Sequence, residues 1–229
     1  MHYGMFKQYD PAAMRTLIET FPFATIAING ENGPLIAQAP LTFRPNIGKF
    51  GAVDFHLARE NAFTAALDDD VDTTIVVNGP HAHISPSWYT GRFAGPDPDR
   101  SRTAPTFNYV SAVLQGKIEI LGEDSLHRQV EDLVNDHEPA DGWRFEEIDR
   151  QLFESWCKML VGVRVEIDSF DMTAKVSQDQ APADRVGITM GLLGRSAFAD
   201  KAMATIVDRF DGSPEALVNA LSRARLDGE

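Results

Sequence analysis

The order of the apolar segments limits the fold more than any other feature of the chain. FATIAING, PLIAQAPLTFRP, FGAVDFHL, VDTTIVVNG, TFNYVSAVLQGKIEIL and MLVGVRVEIDSFDMTAKV are strand-like, and several are rich in β-branched residues. They are separated by turn signals such as ENG and NIGK, not by a regularly recurring helix. No GxGxxG follows the first strand. A doubly wound dinucleotide fold is therefore disfavoured, and a small antiparallel β-barrel with peripheral helices is favoured.

The helices have their own signals. Asp10-Pro11 predicts a start, because Asp accepts from first-turn N–H groups and Pro suits the first helical position. ENAFTAALDDD predicts a short helix with Phe63, Ala66 and Leu67 inward, ending near Leu67 where the aspartates oppose the helix dipole. DSLHRQVEDLVNDHE and RFEEIDRQLFESW predict two amphipathic helices. After Asp184 the chain reads as helix throughout, in VGITMGLLG, RSAFADKAMATIVDRF and SPEALVNALSRARL. The expected organisation is a barrel domain over 1–195 and a helical extension over 196–229.

Charge and cysteine content narrow the function. The net charge of -13 repels a phosphate backbone, and RFAGPDPDRSR, the nearest approach to a basic cluster, interleaves Arg92, Arg100 and Arg102 with Asp97 and Asp99. Direct nucleic-acid binding is disfavoured. No run of about 18 apolar residues is long enough to span a membrane, and MHYGMFKQYD lacks the features of a signal peptide. The single cysteine, Cys157, forms no intrachain disulfide. With these features it fits a cytoplasmic protein.

Three stretches carry groups able to bind or react. In FHLAREN, His56, Arg59 and Asn61 stand where a strand gives way to the expected helix. Arg offers a planar fork to phosphate and a helix N-terminus favours an anion; the alternative is that Arg59 pairs with an Asp and Asn61 caps the helix. In GPHAHISPSWY, His81 and His83 share a strand face and with His56 would make a three-histidine set, but no carboxylate at fixed spacing joins them, so no metal site is expected. Ser85 and Ser87 lack a GxSxG setting. Trp88 and Tyr89 suit either one wall of a flat ring or the core. In KVSQDQAPADR, Lys175, Ser177 and Gln178 are either binding groups or a solvated loop. No catalytic residue is assigned. His81 and His83 are the general acid–base candidates.

APL (Ala39–Leu41), FHLAREN (Phe55–Asn61), NGPHAHISPSWY (Asn78–Tyr89), APTFNY (Ala104–Tyr109), LVGVRVEI (Leu160–Ile167) and KVSQDQAPADRVG (Lys175–Gly187), in that order, resemble the PaiB-type family of FMN-binding negative transcriptional regulators. The resemblance covers roughly residues 1–195. It departs at His83, where the family usually has Tyr, at Phe107, where it has Trp, and in a longer Thr90–Arg102 loop. It implies an α+β fold, a split β-barrel of the pyridoxamine-phosphate-oxidase and flavin-reductase type, and a homodimer with FMN as cofactor. It further implies phosphate-side roles for His56, Arg59 and Asn61, a cofactor contact from Leu57, and backbone contacts from Ala39, Pro40 and Leu41 to the isoalloxazine edge. His81, Ser87, Trp88, Lys175 and Gln178 would complete the cofactor contacts. A flavin-dependent oxidoreductase or a redox-linked regulator are both compatible with this set. Indirect regulation without flavin chemistry, and haem binding or breakdown, stand as alternatives.

Overall fold

Gly30 and Gly33 close a hairpin between β2 (Phe23–Gly30) and β3 (Gly33–Pro40), as the turn residues of ENG lead one to expect. The computed structural model describes residues 4–97 and 99–228, with side chains to Arg225. The remaining strands are β1 (Lys7–Gln8), β4 (Thr42–Arg44), β5 (Ala52–Ala58), β6 (Asp72–Ile84), β7 (Thr106–Ile120) and β8 (Leu160–Lys175). They form one sheet in the order β3-β2-β6-β7-β8-β5-β4, with β1 also on β8. β2 is antiparallel to β3 and β6, and β5 to β4 and β8.

The helices are α1 (Pro11–Thr20), α2 (Glu123–His137), α3 (Arg150–Cys157), α4 (Pro182–Arg195), α5 (Asp200–Arg209) and α6 (Pro214–Gly228). Asp10 caps α1 as expected, its carboxylate accepting from the Ala12 N–H at 3.0 Å. Asp149 does the same for α3 through Leu152 N.

The chain divides into two compact units, one of Met1–Phe21, Asn78–Ala112 and Asp171–Glu229, the other of Pro22–Val77 and Val113–Phe170. In the first, α5 packs on α4 and α6, and α6 packs on α1. Met14, Leu17 and Ile18 of α1, Met203, Ile206 and Val207 of α5, and Leu217 and Leu221 of α6 are buried. Their i, i+3/i+4 spacing gives each helix one apolar face. Gly79 is required here, because a Cβ on it would lie 2.8 Å from Leu17. In the second unit, Gly116 meets the Glu166 carbonyl so closely that no Cβ fits. This explains a glycine inside the 15-residue strand β7.

Four local expectations are corrected. ENAFTAALDDD forms only a 3₁₀ turn, Thr64–Ala66, with Phe63 buried but Ala66 exposed. The Asn61 side chain bonds Phe63 N at 2.9 Å, and Asp70 takes a left-handed φ of 67°; both favour a tight turn over a helix. PLIAQAPLTFRP is two strands, because Leu41 N turns to Pro22 O. RFEEIDRQLFESW opens as a 3₁₀ turn, Phe145–Glu147, and becomes helical only after Asp149. RSAFADKAMATIVDRF begins its helix late, since Ser196 and Ala199 both have positive φ. The first residues, read as no signal peptide, fall partly outside the described residues.

Candidate functional site

Seven of the residues expected at a cofactor lie in the second unit. Ala39 and Leu41 are buried and Pro40 half-buried; Ala39 pairs with Ala24 and Pro40 with Phe23. β3 is the first strand of the sheet order, so alternate backbone groups along it face away from β2. The Leu41 N–H is committed to Pro22 O at 3.0 Å. On β5, Leu57 is buried, whereas the half-buried His56 bonds Gln129 of α2 through Nδ1 at 2.7 Å. Gln129, fully buried, also donates to Thr42 at 3.3 Å. His56 thus has the hydrogen-bonded structural setting weighed against a metal role. Among the described residues no group of three or more His, Cys, Asp or Glu is placed to hold a metal.

Among the described residues Arg59 pairs with no Asp. Its Nε donates to Lys158 O at 3.1 Å and its Nη2 to Leu160 O at 2.9 Å. Carbonyl oxygens orient the guanidinium without cancelling its charge. Asn61 caps the 3₁₀ turn, which is the alternative reading of that residue. A three-residue turn supplies no helix dipole for an anion, so any phosphate held here depends on the Arg59 side chain.

The other five lie in the first unit. His81 is exposed near the end of β6, and His83 sets its ring edge-on to Phe107 at 5.7 Å. Ser85 caps the turn Pro86–Trp88 by accepting from Ser87 N. Ser87 is exposed and its Oγ accepts from Arg100 at 3.5 Å. Trp88 lies against Gly187 and Gly191 of α4, where a Cβ on either glycine would collide with it. The Arg195 guanidinium sits 5.2 Å from the Trp88 ring and also donates to His83 O at 2.9 Å. Trp88 is therefore a packed side chain with a partly open ring. Tyr89 is buried, and burial raises its hydroxyl pKa above the ordinary value.

Lys175 donates to Thr106 Oγ1. Gln178 closes on its own turn, accepting from Val176 N at 2.8 Å and donating to Ala174 O at 2.7 Å. The turn places Ser177 at a φ of 61°, where its Oγ accepts from Asn108 at 2.8 Å. The other amide atom of Asn108, its Oδ1, is buried with no hydrogen-bond partner among the described residues.

Sequence reasoning overlooked Asn108, Asp184, Arg195 and Lys158. Asp184 is buried and accepts from the N–H groups of Gly91 and Arg92, tying the Thr90–Arg102 loop to α4. In the sequence these residues are single polar letters far from the groups they meet, and no spacing rule links them.

Taken separately, the second unit offers an oriented guanidinium and sheet-edge backbone groups, and the first a partly open indole and a lysine. The family described as "Putative FMN-binding domain" matches residues 2–169. The chain belongs to this family. Within it, the PaiB-type resemblance of the motifs is supported by "Protease synthase and sporulation protein PAI 2" of Bacillus subtilis. That protein is 22% identical over 205 residues, spanning 89% of this chain and 94% of that protein. "Uncharacterized protein AN0679" of Emericella nidulans is 26% identical over 208 residues, 79% of this chain and 81% of that one. Among solved structures, the FAD and heme binding protein from Mycobacterium smegmatis superposes with a TM-score of 0.54 at 15% identity, over 84% of this chain and 81% of that chain. The flavocytochrome Anf3 from Azotobacter vinelandii gives 0.56 at 14%, over 76% and 71%. Likeness at this identity concerns the fold, which is α+β of the split β-barrel class with peripheral helices and helical C-terminal elements.

Proposed function

We propose that this chain is a flavoprotein that binds FMN non-covalently and acts in a redox or redox-linked regulatory role. Membership of the FMN-binding family over residues 2–169 carries the reading. In it, Arg59 meets the phosphate through the part of its guanidinium outside the two carbonyl bonds, with His56, Leu57 and Asn61 shaping that end. Ala39, Pro40 and Leu41 present backbone to the ring edge. His81, Ser87, Trp88, Lys175 and Gln178, in the first unit, are proposed cofactor contacts in their own right. When bound, the flavin supplies the electron chemistry, and the protein's task is to anchor, orient and shield it.

The active form in this reading is a cytoplasmic homodimer. Its support is an exposed apolar stripe on α4, Val186, Met190 and Leu193, with Phe198 beyond it 97% exposed. Exposed apolar residues at i, i+4 and i+7 on one helix face mark an association surface. Regulation, as the PAI 2 name suggests for that relative, would run through a partner and not through DNA, because the chain carries a net charge of -13.

The test is a visible spectrum of the purified protein during FMN titration, with haem titrated in parallel. A bound-flavin spectrum with saturation supports the reading. Saturable haem binding with no flavin binding replaces it with the haem alternative.

A further inference from the structure

The end of β5, the start of β8 and the first turn of α2 line a solvent-open pocket of about 310 Å³ within the second unit. That volume lies at the lower end of small-molecule sites. Leu126, Leu160 and Cys157 make an apolar wall, and Leu126 and Cys157 belong to the core cluster between α2 and α3. Arg59, Lys158 and Glu123 also line the cavity. Two cations against one carboxylate leave a local charge of +1 in a chain whose total is -13.

The positive charge is oriented and is not neutralised by a carboxylate among the described residues. Arg59 is held by the carbonyls of Lys158 and Leu160, which fix its direction and leave its charge intact. Lys158 is exposed. Among the described residues neither cation pairs with a carboxylate. α2 also begins here without a side-chain cap at Gly122, so its first N–H groups add partial positive charge. Glu123 offsets part of this and disfavours a polyanion. A neutral apolar molecule would use the wall and waste the cations, whereas an organic cation would be repelled.

We infer that this cavity binds a small organic anion with a single charged head and an apolar body, of the medium-chain or aromatic monocarboxylate class. The head sits on Lys158, with Arg59 as a second cation shared with the FMN phosphate of the proposed flavin reading, and the body lies against Leu126, Leu160 and Cys157. The site goes beyond the flavin reading, and through Arg59 the two ligands compete.

Cys157 supplies the readout. It is the chain's single cysteine, it lines the cavity, and burial, with a smaller contribution from Glu123, raises its thiol pKa above the ordinary value. The experiment measures its modification by 2,2′-dithiodipyridine, a neutral disulfide, on the full chain with octanoate, octylammonium or FMN. Octanoate at about ten times its dissociation constant is expected to slow the reaction about tenfold. Octylammonium is expected to leave the rate unchanged. Lys158→Glu alters an exposed side chain, so its thermal unfolding should match wild type while octanoate binding weakens by about tenfold or more. Equal protection by octylammonium, or unweakened protection in Lys158→Glu, would overturn the inference. FMN, which shares Arg59, is expected to displace octanoate without itself shielding Cys157; FMN that shields Cys157 as strongly as octanoate would assign the cavity to the flavin and overturn the inference as well. Failure of FMN binding with octanoate protection intact would count only against the flavin reading.

Discussion

Arg164 closes a two-pronged bond on Asp54, Nε to Oδ1 at 2.8 Å and Nη2 to Oδ2 at 2.9 Å, and the carboxylate is fully buried. Asp54 and Arg164 face each other across β5 and β8, so the pair fixes register as well as charge. Arg44 adds a third bond to Asp54 at 2.6 Å and reaches Asp132 on α2. Burial works against the charged form of Arg44, but its bonds to Asp132 and Asp54 prevail and hold its pKa above the ordinary value. Asp54→Ala leaves two guanidinium groups half-buried without their common partner. The expected loss is about 3–5 kcal/mol of unfolding free energy. Urea unfolding checks it, and a change within experimental error would show that the network contributes little.

Trp88 and α4 depend on a glycine. Gly191→Ala places a Cβ inside the space of the indole and must displace the ring or the helix. Overpacking of this kind costs about 1–3 kcal/mol. The same change elsewhere on an exposed helix surface would stabilise, since Ala is the better helix former by about 1 kcal/mol. A lowered melting temperature with altered tryptophan emission is the expected outcome, and a raised one would mean that Trp88 does not pack there.

Asp200 sets one part of the acid limb of stability. Its bonds to Arg195, at 2.5 Å and 2.8 Å, are the first cause of a pKa below the ordinary carboxylate value, and the Ala197 N–H adds to it. A group depressed in the folded state stabilises fully above its unfolded value and loses that contribution as pH falls through the folded value. The loss therefore begins near about pH 4 and continues below it. Asp200→Asn should be less stable than wild type at pH 7, with the gap closing on acidification. A gap that stays constant to low pH would contradict the assignment.

Arg59→Ala removes a charge-assisted contact worth about 1.5–3 kcal/mol to a bound phosphate. FMN affinity should fall by about 10- to 100-fold, while riboflavin, which lacks the phosphate, should bind nearly as before. Calorimetric titration of both ligands checks this. Equal losses for the two would place Arg59 away from the phosphate.

The legible parts of the chain are those governed by near neighbours. Asp10-Pro11 determines where α1 starts because cap and first turn are adjacent, and Gly30 and Gly33 determine the β2–β3 hairpin for the same reason. The six strand-like segments correspond to strands of the sheet, the second of them split into β3 and β4. The misread stretch, ENAFTAALDDD, has apolar residues at helical spacing, but Asn61 diverts the backbone by bonding two residues ahead, and local side-chain bonds of this kind compete with helix. The polar environment was hidden for a different reason. Arg59 meets carbonyls 99 and 101 residues away, and Asp184 holds a loop 92 and 93 residues away. Only the folded chain brings such partners together. His56 is the intermediate case: its presence on a strand end was readable, but its partner Gln129 arrives on a helix 73 residues later.

Titration of the purified protein with FMN, followed in the visible spectrum and by quenching of flavin fluorescence, tests the central claim most directly. Saturable binding with a perturbed flavin spectrum is the predicted result. Free-flavin spectra throughout, with no saturation at micromolar protein, would contradict it.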